Sequence, residues 1–136
     1  MAVKKVQILD LGSLDCDTNA LVALKVRANK NDPAPRLEFV PFPVWAVYIE
    51  TEDRKILFDT GILDEYDENV SEGSKINLPY NHVPEQDIEN QLALCGVTPD
   101  DIDYVIISHM HWDHAGNIGK FRNAKVCLLY TSPSPR

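Results

Sequence analysis

Three of the four histidines in this chain, His109, His111 and His114, fall within six residues, with Asp113 among them. They follow the apolar run Tyr104–Ile107 directly. That run is short and rich in β-branched residues, which predicts a buried strand delivering the histidines at its C-terminal end. Alternate side chains of an extended chain share a face, so His109, His111 and Asp113 are expected to point together. A turn at Asp113 and His114, followed by the small Ala115 and Gly116, would bring His114 to the same side. Imidazole nitrogens with a carboxylate suit zinc or another borderline divalent metal. Four donors split into two pairs suggest two neighbouring metals rather than one closed structural site. A lone histidine is usually a satisfied core or surface residue, and a single His-x-His arises by chance. Four donors in six positions after an apolar strand form a much narrower pattern.

Charge and composition limit the partners. The 136 residues carry a net charge of −8, with 44% hydrophobic and 25% charged residues, which suits one globular domain or part of one. Such a charge argues against nucleic acid or an anionic membrane surface as the main partner. No apolar run reaches the length of a transmembrane helix, and residues 1–8 lack the apolar core of a signal peptide, so no membrane association is expected. The three cysteines are scattered and odd in number, which fits a reduced, cytoplasmic protein rather than a disulfide framework.

Along the chain, residues 3–12 and 20–26 read as two strands, with turn formers at 12–17 between them. Residues 44–49 and 55–59 read as a hairpin about the polar turn 52–54. Asp59-Thr60-Gly61, taken alone, is a strand-ending turn. Residues 62–84 are polar and acidic without periodicity, and so predict a long loop containing His82. Ile88, Leu92 and Cys95 at helical spacing predict a helix over 87–95 with Pro84 and Glu85 in its first turn, and Thr98 with Pro99 opens a second short helical turn. After the histidines, 117–121 reads as a loop and 124–126 as the start of a strand.

Ser108-His109-Met110-His111-Trp112-Asp113-His114-Ala115-Gly116 resembles the His-x-His-x-Asp-His signature of the metallo-β-lactamase fold superfamily, most closely its N-acyl homoserine lactonase branch. The segment from Pro43-Val44-Trp45 to Asp59-Thr60-Gly61 resembles a second stretch of that branch. The resemblance implies an α/β fold, the N-terminal αβ half of an αββα sandwich. It implies two Zn2+ ions, one served by His109 and His111, the other by Asp113 and His114. Asp59 would hydrogen-bond beneath the metal loop and orient it without binding metal. The substrate implied is a small lactone, an N-acyl homoserine lactone or a short γ-lactone, opened by hydroxide made available by the metals, with Asp113 passing a proton to the leaving oxygen. Quorum quenching is the role that goes with such a substrate. Phe42, Trp45 and Trp112 would line a pocket for the acyl chain, although aromatic residues so placed are more often core.

Residues 127–136 change character and look like a translated sequencing adapter, which is the preferred reading over a natural Ser/Pro-rich tail. On the adapter reading residues 1–126 are the N-terminal half of the domain and 127–136 are foreign. The late histidines and the bridging aspartate of the family have no counterpart in these residues, so the chain is expected to hold half a site and to be inactive by itself. The alternatives are a thioesterase of the glyoxalase II kind on the same fold, or a non-catalytic truncated product.

Overall fold

The fifteen residues of β1 (Val3–Asp17) form the longest strand of a six-stranded sheet, in a computed structural model that describes residues 2–129 apart from the side chain of Asp67. β1 pairs antiparallel with β2 (Phe39–Thr51), and β2 turns back into β3 (Lys55–Phe58) as the expected hairpin. Thr51 closes the hairpin turn, its hydroxyl oxygen accepting from Arg54 N at 3.0 Å. After a long crossover β5 (Tyr104–Ile107) lies parallel beside β3, and β6 (Lys125–Leu128) lies parallel beside β5. The two-residue β4 (Tyr80–Asn81) covers the far side of β1, giving the order β4-β1-β2-β3-β5-β6.

Three sequence expectations change. Residues 12–17 are not a turn, because β1 runs through them with an irregularity between Asp10 and Ser13. Gly12 takes φ +92° there, and a Cβ on it would sit 2.5 Å from Asn81 O, so β4 can approach only a glycine. Residues 20–26 are not a strand. Asp17 caps the helical turn α1 (Thr18–Leu21) by accepting from Asn19 N, and the Asn19 carboxamide oxygen accepts from Val26 N. Local polar bonds thus win over an apolar run that has no sheet to join, and Val22 and Leu24 stay exposed. Residues 62–84 are more ordered than a loop and hold α2 (Tyr66–Asn69), α3 (Glu72–Asn77) and β4. Ser71 caps α3, and Tyr66, 3% exposed, anchors the segment in the core.

The expected helix is α4 (Ile88–Ala93), preceded by a separate 3-10 turn at Pro84–Gln86 because Asp87 adopts ψ 140° between them. A second 3-10 turn, Pro99–Asp101, leads into β5, with the Asp101 carboxylate accepting from both Thr98 N and Thr98 Oγ1. These two bonds hold the Asp101 carboxyl below its ordinary range. β6 runs on through Cys127 and Leu128, across the boundary drawn at residue 126. Residues 130–136 of the expected foreign tail lie outside the described residues.

The two faces of the sheet differ. On one, Leu9, Ala46, Tyr48, Leu57 and Val105 are closed over by Ile88, Leu92 and Ile102, all at most 1% exposed. Burial pushes the Tyr48 hydroxyl up to about 12. On the other, the register sets Val6 against Ile49, Ile8 against Val47, Ile49 against Ile56, and Phe58 between Val47 and Ile106. This second face is as apolar as the first but bare, with Val6 60% and Ile8 66% exposed. Helices on one face and an uncovered apolar sheet on the other make the αβ half of a sandwich. Exposed apolar sheet of this extent drives association. The chain should therefore sediment as concentration-dependent oligomers. Val6→Lys with Ile8→Lys should shift it toward monomer at unchanged far-ultraviolet circular dichroism, whereas identical sedimentation would contradict this use of the face.

Candidate metal centre

β5 ends at Ile107, so the chain has left the sheet before the first histidine. Alternation along a strand therefore does not set the geometry of these side chains. Residues 108–111 are irregular, and the helical turn α5 (Trp112–Ala115) carries Asp113 and His114 back toward His109. Both His114 N and Ala115 N donate to His111 O at 3.0 Å. The expected turn at Asp113 and His114 is this helical one.

The loop is held from below by Asp59, 3% exposed at the end of β3. Its carboxylate accepts from Ser108 N at 2.7 Å, from Ser108 Oγ at 2.9 Å and from His114 Nδ1 at 2.8 Å. Asp59 has φ +59°, a conformation that aspartate tolerates better than most residues. The next residues lock to α5. Thr60 N and Thr60 Oγ1 both donate to His114 O, at 2.7 and 3.0 Å, and Gly116 N donates to Gly61 O at 2.8 Å. Asn117, 1% exposed, donates through Nδ2 to the carbonyls of Thr60 and Ile62 and to Asp64 Oδ1. A Cβ on Gly116 would fall 2.8 Å from Gly61 O and 2.7 Å from Ile62 C, so the two turns fit only with glycine there.

These bonds decide which imidazole nitrogens are free. A carboxylate only accepts, so the neutral His114 ring donates from Nδ1 to Asp59 and turns Nε2 outward. Ser108 Oγ spends its proton on Asp59 and accepts from His109 Nδ1 at 3.0 Å, which leaves His109 Nε2 as a lone pair. His109 Nε2 lies 2.9 Å from His111 Nδ1, and His114 Nε2 lies 3.5 Å from Asp113 Oδ2. Ring centroids of His109 and His114 are 4.2 Å apart. The four expected donors therefore meet as two adjoining pairs, His109 with His111 and Asp113 with His114. No three of them form a group with all donor atoms within 4.8 Å of one another; among the described residues that arrangement occurs only at Asp64, His82 and Asp87. Three crowded imidazoles, with unprotonated Nε2 atoms on His109 and His114 and a buried carboxylate behind them, fit a borderline divalent metal.

The three aromatic residues expected around substrate do not share one pocket. Phe42 and Trp45 line a cleft of about 90 Å³ together with Asp59, Asp113 and His114. Trp112 instead stacks on Tyr66 at 5.6 Å and walls an apolar cavity of about 550 Å³ with Ile62, Val70 and Leu78. Sequence reasoning assigned no role to Ser108, Thr60 or Asn117, which connect Asp59 and α5. The signal for Asn117 and Thr60 was burial of polar groups, which sequence alone does not show.

Comparison with known proteins follows the same lines. The sequence model of the metallo-beta-lactamase superfamily matches residues 39–135. The N-acyl homoserine lactonase AiiB of Agrobacterium fabrum is 31% identical over 125 residues, covering 90% of this chain and 45% of that protein. AiiA of Bacillus thuringiensis subsp. kurstaki is 32% identical over 136 residues, covering 96% and 50%. The solved structure of an N-acyl homoserine lactone hydrolase, with the product N-hexanoyl-L-homoserine bound at its catalytic metal center, superposes with a TM-score of 0.74 at 31% identity, over 93% of this chain and 48% of that one. The chain thus spans about half the length of the curated relatives it matches. With residues 39–135 matched and the sheet in common, the chain belongs to the metallo-beta-lactamase superfamily.

Proposed function

We propose that this chain is the N-terminal half of a metal-dependent lactonase that opens N-acyl homoserine lactones, with short γ-lactones as a second substrate class. The observation that carries the reading is the Asp59-supported donor set. The matched relatives are named lactonases, which favours ring opening over the thioesterase alternative. His109 and His111 would hold one zinc ion, and Asp113 and His114 the other. When bound, such ions polarise a carbonyl and lower the pKa of water toward ~7.

The remaining work falls to the chain. Asp59 holds His114 by direct hydrogen bond and His109 through Ser108, keeping both Nε2 atoms unprotonated. The cleft beside Asp113, His114 and Trp45 would take the lactone ring, and Asp113 sits on its wall, placed to pass a proton to the departing ring oxygen. The cavity lined by Tyr66, Trp112, Ile62, Val70 and Leu78 would take the acyl tail, excluding water along its length. Within residues 1–126 the free Cys16 and Cys95 support a reducing, cytoplasmic setting. Residues 1–126 are the half-domain in this proposal. The foreign origin of 127–136 rests on sequence pattern alone, since β6 includes Cys127 and Leu128.

Three outcomes are expected. A protein extended to the length of its relatives, supplied with zinc, should hydrolyse N-hexanoyl-homoserine lactone, and Asp113→Asn should cut kcat by about 10²-fold or more. Absence of turnover in the extended protein, or full activity with His109→Ala, would overturn the reading. The 136-residue chain in excess zinc should hydrolyse the lactone no faster than buffer; a rate abolished by His109→Ala would show that the half-site suffices. Asp59→Asn, which faces Ser108 and His114 with a donor in place of an acceptor, should cost about 1–3 kcal/mol in denaturant unfolding. Unchanged stability would mean that Asp59 does not hold the loop.

A further inference from the structure

A second group of donors lies away from the histidine loop. Asp64 follows β3, His82 follows β4, and Asp87 precedes α4. One donor atom from each lies within 4.8 Å of the other two. Asp64 is already oriented: its side chain is 8% exposed, and its Oδ1 accepts from the buried Asn117 Nδ2 at 3.0 Å. His82 is stacked on Tyr80 at 4.9 Å between centroids. Its Nε2 is sealed from solvent yet makes no well-aligned hydrogen bond, although Asp87 Oδ1 lies 3.0 Å away. A buried imidazole nitrogen left in that state costs stability unless something else engages it.

Charge points the same way. Lys120 Nζ lies 2.7 Å from Asp64, 3.9 Å from Glu65 and 3.8 Å from Glu89, so with Asp87 four carboxylates surround one ammonium. Burial works against the charge on Lys120, but the hydrogen bond and charge of Asp64 outweigh it and raise the ammonium's pKa. Asp87 is raised above the usual carboxylate range, first by burial and then by Asp64, with His82 and Lys120 opposing.

We propose that Asp64, His82 and Asp87 bind a divalent cation of the zinc or manganese kind, separate from the His109–His114 centre. One imidazole and two carboxylates are ligands such ions accept, with water completing the shell. Lys120 has Glu65 and Glu89 within reach when a cation takes Asp64. The ion would tie the loop after β3 to β4 and the start of α4. Through Tyr80, which packs edge-on against Tyr66 at 5.4 Å, it would steady the wall of the cavity that Trp112 shares. Its role is structural.

Zinc chloride titrated calorimetrically into the 136-residue chain tests this, in a His109→Ala, His111→Ala, Asp113→Ala background that removes three of the four loop donors. A saturable site should remain, and zinc should raise the melting temperature. Adding His82→Gln should weaken that site by about tenfold or more and abolish the thermal shift. Asp87→Asn, in a half-exposed turn, should do the same, and serves where His82→Gln fails to give a folded circular dichroism spectrum. No zinc binding in the background protein, or binding indifferent to both substitutions, overturns the proposal. Either result is independent of lactone hydrolysis.

Discussion

One buried carboxylate organises this chain. Asp59 ends a strand, takes a positive φ, and gives its two oxygens to a backbone amide, a hydroxyl and an imidazole. Each bond joins residues about fifty positions apart, so the loop that carries the histidines is set by β3 rather than by its own sequence. Buried carboxylates are costly unless fully paired, and here every partner is a donor. What makes the group affordable also determines tautomers, since the rings bonded to this network must present their other nitrogen outward. The chemistry proposed for the site depends on that.

The packing around Asp59 shows why glycine and asparagine recur nearby. Gly116 lets two turns meet backbone to backbone, Gly61 takes φ +68° where Leu11 packs in place of a Cβ, and the Asn117 amide nitrogen sits within hydrogen-bond reach of three oxygens. The same Asn117 orients Asp64, which links the histidine loop to the separate cluster at His82 and Asp87. Two polar centres thus hang on one hydrogen-bonded frame at the ends of β3 and β5. The bare face carrying Val6 and Ile8 lies on the opposite side of the sheet from α4, and the chain spans about half the length of its relatives.

Much of this was legible in residues. Tyr104–Ile107 and the hairpin from β2 to β3 follow from β-branched runs around polar turns, and α4 follows from Ile88 and Leu92 at helical spacing. The pattern His109, His111, Asp113, His114 named residues that the fold does bring together, while their geometry was misjudged, because a helical turn rather than strand alternation gathers the side chains. Residues 20–26 failed for a different reason. An apolar run becomes a strand only where a partner edge exists, and here Asp17 and Asn19 bond the backbone first. The short helices over 66–77 were hidden because caps and one anchoring tyrosine, not periodicity, hold them. His82 carried no signal at all, since its partners Asp64 and Asp87 meet it only through the fold.

The central claim is that Asp59 fixes the histidine loop so that His109 and His114 keep Nε2 unprotonated. Long-range proton–nitrogen correlation spectra of the histidine rings, taken near neutral pH without metal, report the tautomer of each ring directly. The account predicts the Nδ1–H form for both His109 and His114. An Nε2–H form at His114 would mean that Asp59 does not hold this ring, and the account of the site would fail with it.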